Sequence, residues 1–157
     1  MDSTDFMRRA IELSRERLAT GAGSYCASLV AKDGDVIGEG CNTVVQDSDP
    51  TAHCEINAMR EACRRLGTWD LSGCELYTTW EPCPLCVAAI WLARVDRVYY
   101  ANLLSDTLAF GMDLEPLRRE VRAPVGERSR PYEGLLRDEA LAVVTDWWER
   151  ARPEPIA

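Results

Sequence analysis

Histidine and lysine each occur once among the 157 residues, a second Cys-x-x-Cys pair is missing, and no apolar run is long enough for a signal peptide or membrane span. Each shortage closes a class of function. At a formal charge of −8 the chain lacks the cationic surplus with which nucleic-acid binders neutralise phosphates. Arg118, Arg119, Arg122, Arg128 and Arg130 do cluster, but Glu120 and Glu127 sit among them, which favours a solvated face over an RNA contact. One Cys-x-x-Cys pair cannot build a four-cysteine structural zinc site. With no leader to direct secretion, the expected home is the cytoplasm, where a reducing environment keeps the seven cysteines as thiols, acting as metal ligands or core residues. Neither repeats nor low-complexity segments occur. The length fits one domain, 1–157, built around one core of a chain that is 46% hydrophobic and 28% charged.

Periodicity gives a coarse order of elements. From Thr4 to about Leu18, Met7, Ile11 and Leu18 form an apolar stripe opposite Arg8, Glu12, Arg15 and Glu16, which predicts an amphipathic helix closed near Gly21 and Gly23. Two β-rich runs flank Asp33-Gly34, a hairpin signal. Thr51 is placed to cap a helix from about Ala52 to Arg65 that ends at Gly67. "CELYTTW" reads as a buried strand, and Pro82 as the first residue of a helix through "CPLCVAAIWLAR". "RVDRVYYAN" contains another strand, "RREVRAP" a weak one, and "RDEALAVVTDWWERAR" a final helix before a frayed or extended "PEPIA" tail. Strands alternating with helices predict a mixed α/β sheet covered on both faces.

The lone histidine, His53, lies at the start of one predicted helix and Cys83 and Cys86 at the start of another. The two cysteines are three apart, so on a helix their sulfurs share a face, and a helix N-terminus favours the thiolate that binds metal. Together the three offer one nitrogen and two sulfurs, a zinc site one ligand short, and that open position distinguishes a catalytic from a structural site. Glu55, two residues from His53, can then serve the metal's water as proton carrier without ligating the metal. A core histidine or a redox-active Cys-x-x-Cys would explain either half of this pattern, but not both together.

His-x-Glu followed by Pro-Cys-x-x-Cys is the signature of zinc-dependent base deaminases. From about residue 5 to residue 115 the sequence resembles the cytidine deaminase-like superfamily, most closely its bacterial guanine deaminase branch. The specific core is "DPTAHCEINAMREACRRLGTWDL" with "CELYTTWEPCPLCVAAIWLARVDRVYYA". The resemblance implies a three-layer α/β/α fold around a five-stranded mixed sheet, one Zn2+ per chain on His53, Cys83 and Cys86, and hydrolysis with release of ammonia. It implies that Asn42 hydrogen-bonds the substrate base and that Asp113, in "FGMD", recognises or protonates a purine; a turn residue and a capping or loop aspartate are the alternatives. The amide of Ala52 and the carbonyl of Glu81 are further candidate contacts. It also implies a homodimer, for which the tryptophan-rich final helix, about 138–157, could form the interface or close the site.

Departures from the family pattern bear on the substrate. Ser24-Tyr25-Cys26-Ala27 replaces a typical Pro-Phe-Gly-Ala, so Tyr25 brings a hydroxyl where a phenylalanine stacks near the base. Trp80 precedes Glu-Pro-Cys where a small residue is common, and Trp91-Leu92 inverts the usual aromatic order. Each has a core-packing alternative. A small free base, guanine first, is the expected substrate, with cytosine, a nucleoside or an aminotriazine behind it. A tRNA adenosine deaminase and an inactive zinc-stabilised binding protein are the competing functions; the acidic charge opposes the former and the intact Glu55 the latter. No membrane or nucleic-acid partner and no organic cofactor is expected.

Overall fold

A computed structural model describes residues 1–21 and 25–151; Gly23, Ser24 and the 153–157 tail, on which three expectations fell, lie outside them. The chain divides into two compact units, Met1–Leu114 and a second that begins at Glu115.

The first unit starts with α1 (Ser3–Ala19), one residue before the expected start, capped by Asp2, whose side chain accepts from the Asp5 amide while the Asp5 side chain accepts from the Asp2 amide. β1 (Ala27–Lys32) and β2 (Asp35–Cys41) form the expected antiparallel hairpin. Its turn residues Asp33 and Gly34 both have positive φ, 52° and 88°, as a two-residue turn that follows strand twist requires. A short helix, α2 (Val44–Asp47), precedes α3 (Cys54–Leu66), which ends at Gly67 in the left-handed region. β3 (Glu75–Trp80), α4 (Pro84–Leu92) and β4 (Arg97–Asn102) form a parallel crossover, followed by a 3-10 turn over Leu104–Phe110.

Among the described residues the sheet has four strands in the order β2-β1-β3-β4, mixed as expected, with β1 antiparallel to both neighbours. Successive residues of β1 are buried on opposite faces of the sheet. Leu29 and Ala31 pack with Tyr77 and with Phe6, Ala10 and Leu13 of α1, while Val30 joins Ile37, Leu76, the α3 residues Ala58, Met59 and Ala62, and Ile90 of α4. Helices therefore cover both faces, and the central strands are apolar on both sides.

Three expectations need correction. No fifth strand forms from "RREVRAP": the second unit opens with α5 (Glu115–Arg122), where Pro116 sits in the first turn and Leu117 and Val121 recur at helical spacing. The helix start expected near Thr51 falls at Cys54, because His53 is the last extended residue. That expected at Pro82 falls at Pro84, since Cys83 is the cap and the second of two prolines takes the first helical position. The second unit continues through a turn, where the amide and hydroxyl of Ser129 reach Glu120 Oε2 at 3.0 and 2.7 Å, to the expected final helix α6 (Arg137–Ala151). Among the described residues no helix is long and apolar enough to cross a membrane.

Candidate functional site

Both helices that carry the motif begin at a donor. His53 is the N-cap of α3 and Cys83 that of α4, each in extended conformation, and neither uses its side chain to cap its own helix. The side chains are thereby left to meet each other. His53 Nδ1 lies 3.6 Å from Cys83 Sγ and 3.5 Å from Cys86 Sγ, and the two sulfurs are 3.7 Å apart. A tetrahedral zinc with Zn–S near 2.3 Å and Zn–N near 2.0–2.1 Å requires about 3.6 Å between nitrogen and sulfur and about 3.8 Å between sulfurs. The three donors thus stand at the edges such an ion dictates, with two helix N-termini directed at them.

Charge in the cluster suits a cation. The hydrogen bond between the two sulfurs, helped by His53, pulls Cys83 down to about 4, and the same bond and burial push Cys86 up. His53 is raised, chiefly by its hydrogen bond with Cys83. Glu55, in the first turn of α3, is 4% exposed, and burial holds its carboxyl above the ordinary range, offset in part by a backbone hydrogen bond and by Cys86. A buried carboxyl next to a donor cluster that it does not complete has the placement a proton carrier requires.

The walls come from the strand ends. Tyr25, just before β1, meets Trp80, at the end of β3, edge-on with ring centroids 5.9 Å apart, and Trp80 meets Phe110 likewise at 6.2 Å. The Tyr25 hydroxyl donates to Met112 Sδ at 3.3 Å; burial and then the charges of Glu55 and Cys83 raise it, which puts that hydroxyl within reach of their field. Asp113 follows Met112 in an exposed loop.

The other candidates take varied positions. Asn42 follows β2, and its Oδ1 accepts from the Val44 amide at 3.2 Å, the turn geometry named as its alternative role. The Ala52 amide donates to the Asp49 carbonyl at 3.1 Å, while the Ala52 carbonyl accepts from Thr43 and from Asn57 Nδ2. Glu81 binds the Leu104 amide through its carboxylate at 2.8 Å. Trp91 is not brought to the group: it is 69% exposed near the C-terminal end of α4.

Sequence reasoning missed three features. Phe110 and Met112 extend the aromatic wall. Asn57 Nδ2 reaches Cys41 O and Thr43 Oγ1, each at 2.9 Å, and Ala52 O at 3.3 Å, tying α3 to the loop that leads into it. Cys26 and Cys54, expected as free thiols, are paired in a disulfide, because β1 and α3 begin beside each other with these Cα atoms 6.0 Å apart. The substitution of cysteine for the usual glycine at position 26, together with a cysteine between His53 and Glu55, was the available signal.

The chain is similar to known deaminases in sequence and in fold. The sequence model of the cytidine and deoxycytidylate deaminase zinc-binding region matches residues 1–102. The guanine deaminase of Bacillus subtilis (strain 168) is 38% identical over 147 residues, 94% of each chain. The X-ray structure of guanine deaminase from Bacillus subtilis covers all of both chains with a TM-score of 0.93 at 36% identity. A guanine deaminase from Nitrosomonas europaea gives 0.68 at 31% identity, covering 93% of this chain and 84% of its own. The tRNA-specific adenosine deaminase of Aquifex aeolicus is 46% identical over 76 residues, 48% of this chain and 50% of its own length.

Proposed function

Because the chain belongs to the family of zinc-binding cytidine and deoxycytidylate deaminases, we propose that it is a hydrolytic deaminase of a small free nucleobase, guanine first. The observation that carries this reading is the His53, Cys83 and Cys86 cluster at tetrahedral spacing with the buried Glu55 beside it. One zinc ion per chain in that cradle supplies Lewis acidity, which makes hydroxide available near neutral pH.

The residues do the remainder. Glu55 carries two protons in turn, the first from the attacking water to the ring nitrogen and the second from the resulting hydroxyl to the departing amine, so that water and an amino-bearing ring carbon give a carbonyl and ammonia. Its burial suits a relay, since a carboxyl held above the ordinary range is a stronger base than an exposed one and keeps the proton until the ring nitrogen or the amine takes it. Tyr25 and Trp80 flank the base, Asn42 and Asp113 offer it hydrogen bonds, and the Ala52 and Glu81 backbones line the same approach; Trp91 stays outside. The Bacillus relative is a guanine deaminase aligned over nearly its whole length, which supports guanine and supports treating both units as parts of one enzyme. The net charge of −8 weighs against tRNA, although the shorter Aquifex match keeps that reading open to test. We also propose a homodimer, supported by the exposed apolar Val87, Trp91 and Leu92 on α4 and Trp147 and Trp148 on α6.

The test is ammonia release by the zinc-loaded protein from guanine, guanosine, cytosine, cytidine, adenine, an aminotriazine and a tRNA anticodon hairpin. Guanine should turn over, and Glu55→Gln should lower the rate about 10²–10⁴-fold with zinc content unchanged. Activity that survives in Glu55→Gln refutes the assignment of the proton carrier; activity only on the hairpin moves the protein to the tRNA class.

A further inference from the structure

Two cysteines outside the donor cluster meet beside it. Cys26, the residue before β1, and Cys54, the first of α3, are joined across a sequence separation of 28. Their Cα spacing of 6.0 Å is one a disulfide bridges without backbone movement. Their surroundings are the functional residues themselves. Cys54 lies between His53 and Glu55, with its Sγ 3.1 Å from Glu55 Oε2. The carbonyl of Cys26 accepts the Asn42 amide at 3.2 Å, and Tyr25 precedes it. One covalent bond therefore connects the segment that carries Tyr25 to the one that carries His53 and Glu55, and a backbone hydrogen bond adds Asn42. The other cysteines are otherwise engaged: Cys83 and Cys86 in the donor cluster, and Cys41, Cys63 and Cys74 as thiols that burial pushes up.

We propose that Cys26 and Cys54 are a reversible thiol–disulfide modification site whose state sets the turnover rate through Glu55. The rate effect rests on the deaminase reading above. Cys26, the less buried of the two at 7% against 1%, loses a proton and attacks one sulfur of a small-molecule disulfide such as oxidised glutathione, expelling a first thiol. Cys54 then attacks the Cys26 sulfur and expels the second. The two protein thiols give up two electrons and two protons, the small disulfide takes them up as two thiols, and a dithiol reverses the exchange. In the disulfide Cys54 has no S–H, and Glu55 Oε2 is open to the proton of the attacking water. In the dithiol Cys54 donates its S–H to that oxygen and competes with the water for it, so the reduced enzyme is the slower.

The test treats zinc-loaded full-length protein with oxidised glutathione or with dithiothreitol and follows thiols, zinc and ammonia together. Alkylation after denaturation and zinc removal should count seven thiols in the reduced protein and five in the oxidised, with 26 and 54 mapped as the pair. Zinc content should be equal in the two states, and turnover about threefold or more faster in the oxidised one, reversibly. Cys26→Ser, which keeps the Cys54 S–H, should stay at the reduced rate under both treatments. Failure of the two thiols to pair, equal rates in the two states, a rate change that tracks zinc loss, or one that persists in Cys26→Ser would each overturn the proposal. Absence of turnover in both states would instead overturn the deaminase reading and with it the rate effect, while the thiol count would still decide whether the pair forms.

Discussion

Gly40 on β2 has no room for a methyl group. A Cβ there would lie 2.3 Å from the Ala58 amide nitrogen, 2.4 Å from the Cys54 carbonyl oxygen and 2.9 Å from the Asn57 carbonyl carbon, all backbone atoms of α3, where ordinary contact begins at 3.4 Å. The gap falls about 1 Å short, and no side-chain rotation can supply it. Gly40→Ala must therefore move α3 away from the sheet, at a cost of about 1–3 kcal/mol for an overpacked core. At roughly 3 °C per kcal/mol for a chain of this size, thermal unfolding should shift down by about 3–9 °C. The functional cost should exceed the stability cost. His53 caps this helix and Glu55 sits in its first turn, and a misplacement of about 1 Å can lower turnover about 10²-fold. Scanning calorimetry with ammonia release and zinc content measures all three. Gly126→Ala is the control, because nothing lies within 4 Å of its Cβ. If Gly40→Ala melts and turns over like that control, the argument that bare strand backbone seats α3 is refuted.

Three further outcomes are expected. Asn57→Ala removes a donor shared among Cys41 O, Thr43 Oγ1 and Ala52 O, and should cost about 1–3 kcal/mol by chemical denaturation with an unchanged m-value. Trp80→Ala should raise KM for the base severalfold while Trp91→Ala leaves it unchanged; equal effects from the two would contradict the pocket wall described above. Burial pushes the Tyr77 hydroxyl up to about 12, with help from its bond to Glu75. An acid with a raised folded pKa stabilises the fold fully below its unfolded value near 10, and that stability is lost as pH rises toward 12. Stability from pH 9 to 12 should therefore fall more steeply in the wild type than in Tyr77→Phe, and parallel curves would show that this hydroxyl is not responsible.

The chemistry was legible in the sequence because it rests on spacing over a few residues. His53 with Glu55 and Cys83 with Cys86 needed only a helix start each, and Asp33-Gly34 marked its own turn. What failed depended on competition between neighbouring signals or on distant contacts. Thr51 and His53 competed to be the last extended residue, as did Pro82 and Pro84 to be the first helical one. "RREVRAP" reads equally well at strand or helical period until Leu117 is counted with Val121. Trp91 looked close to Cys86 in sequence, but five residues along a helix place it roughly 140° around the axis, on the outer side. The Cys26–Cys54 pair required knowing that β1 and α3 begin together, which no local pattern encodes.

The position of β3 in the middle of the sheet sets an order of events during folding. The β1–β2 hairpin joins neighbouring residues, and α3 follows it with only the short α2 between them. The half of the site with Tyr25, His53 and Glu55 can therefore assemble from nearby contacts soon after synthesis. The sulfurs arrive only after β3 enters between β1 and β4, a pairing that brings Ser28 to Thr78 across 50 residues, with the closure entropy that distance imposes. The three donors stand together only once that pairing has formed, so the cradle for an ion is a product of the long-range fold and not of either local segment.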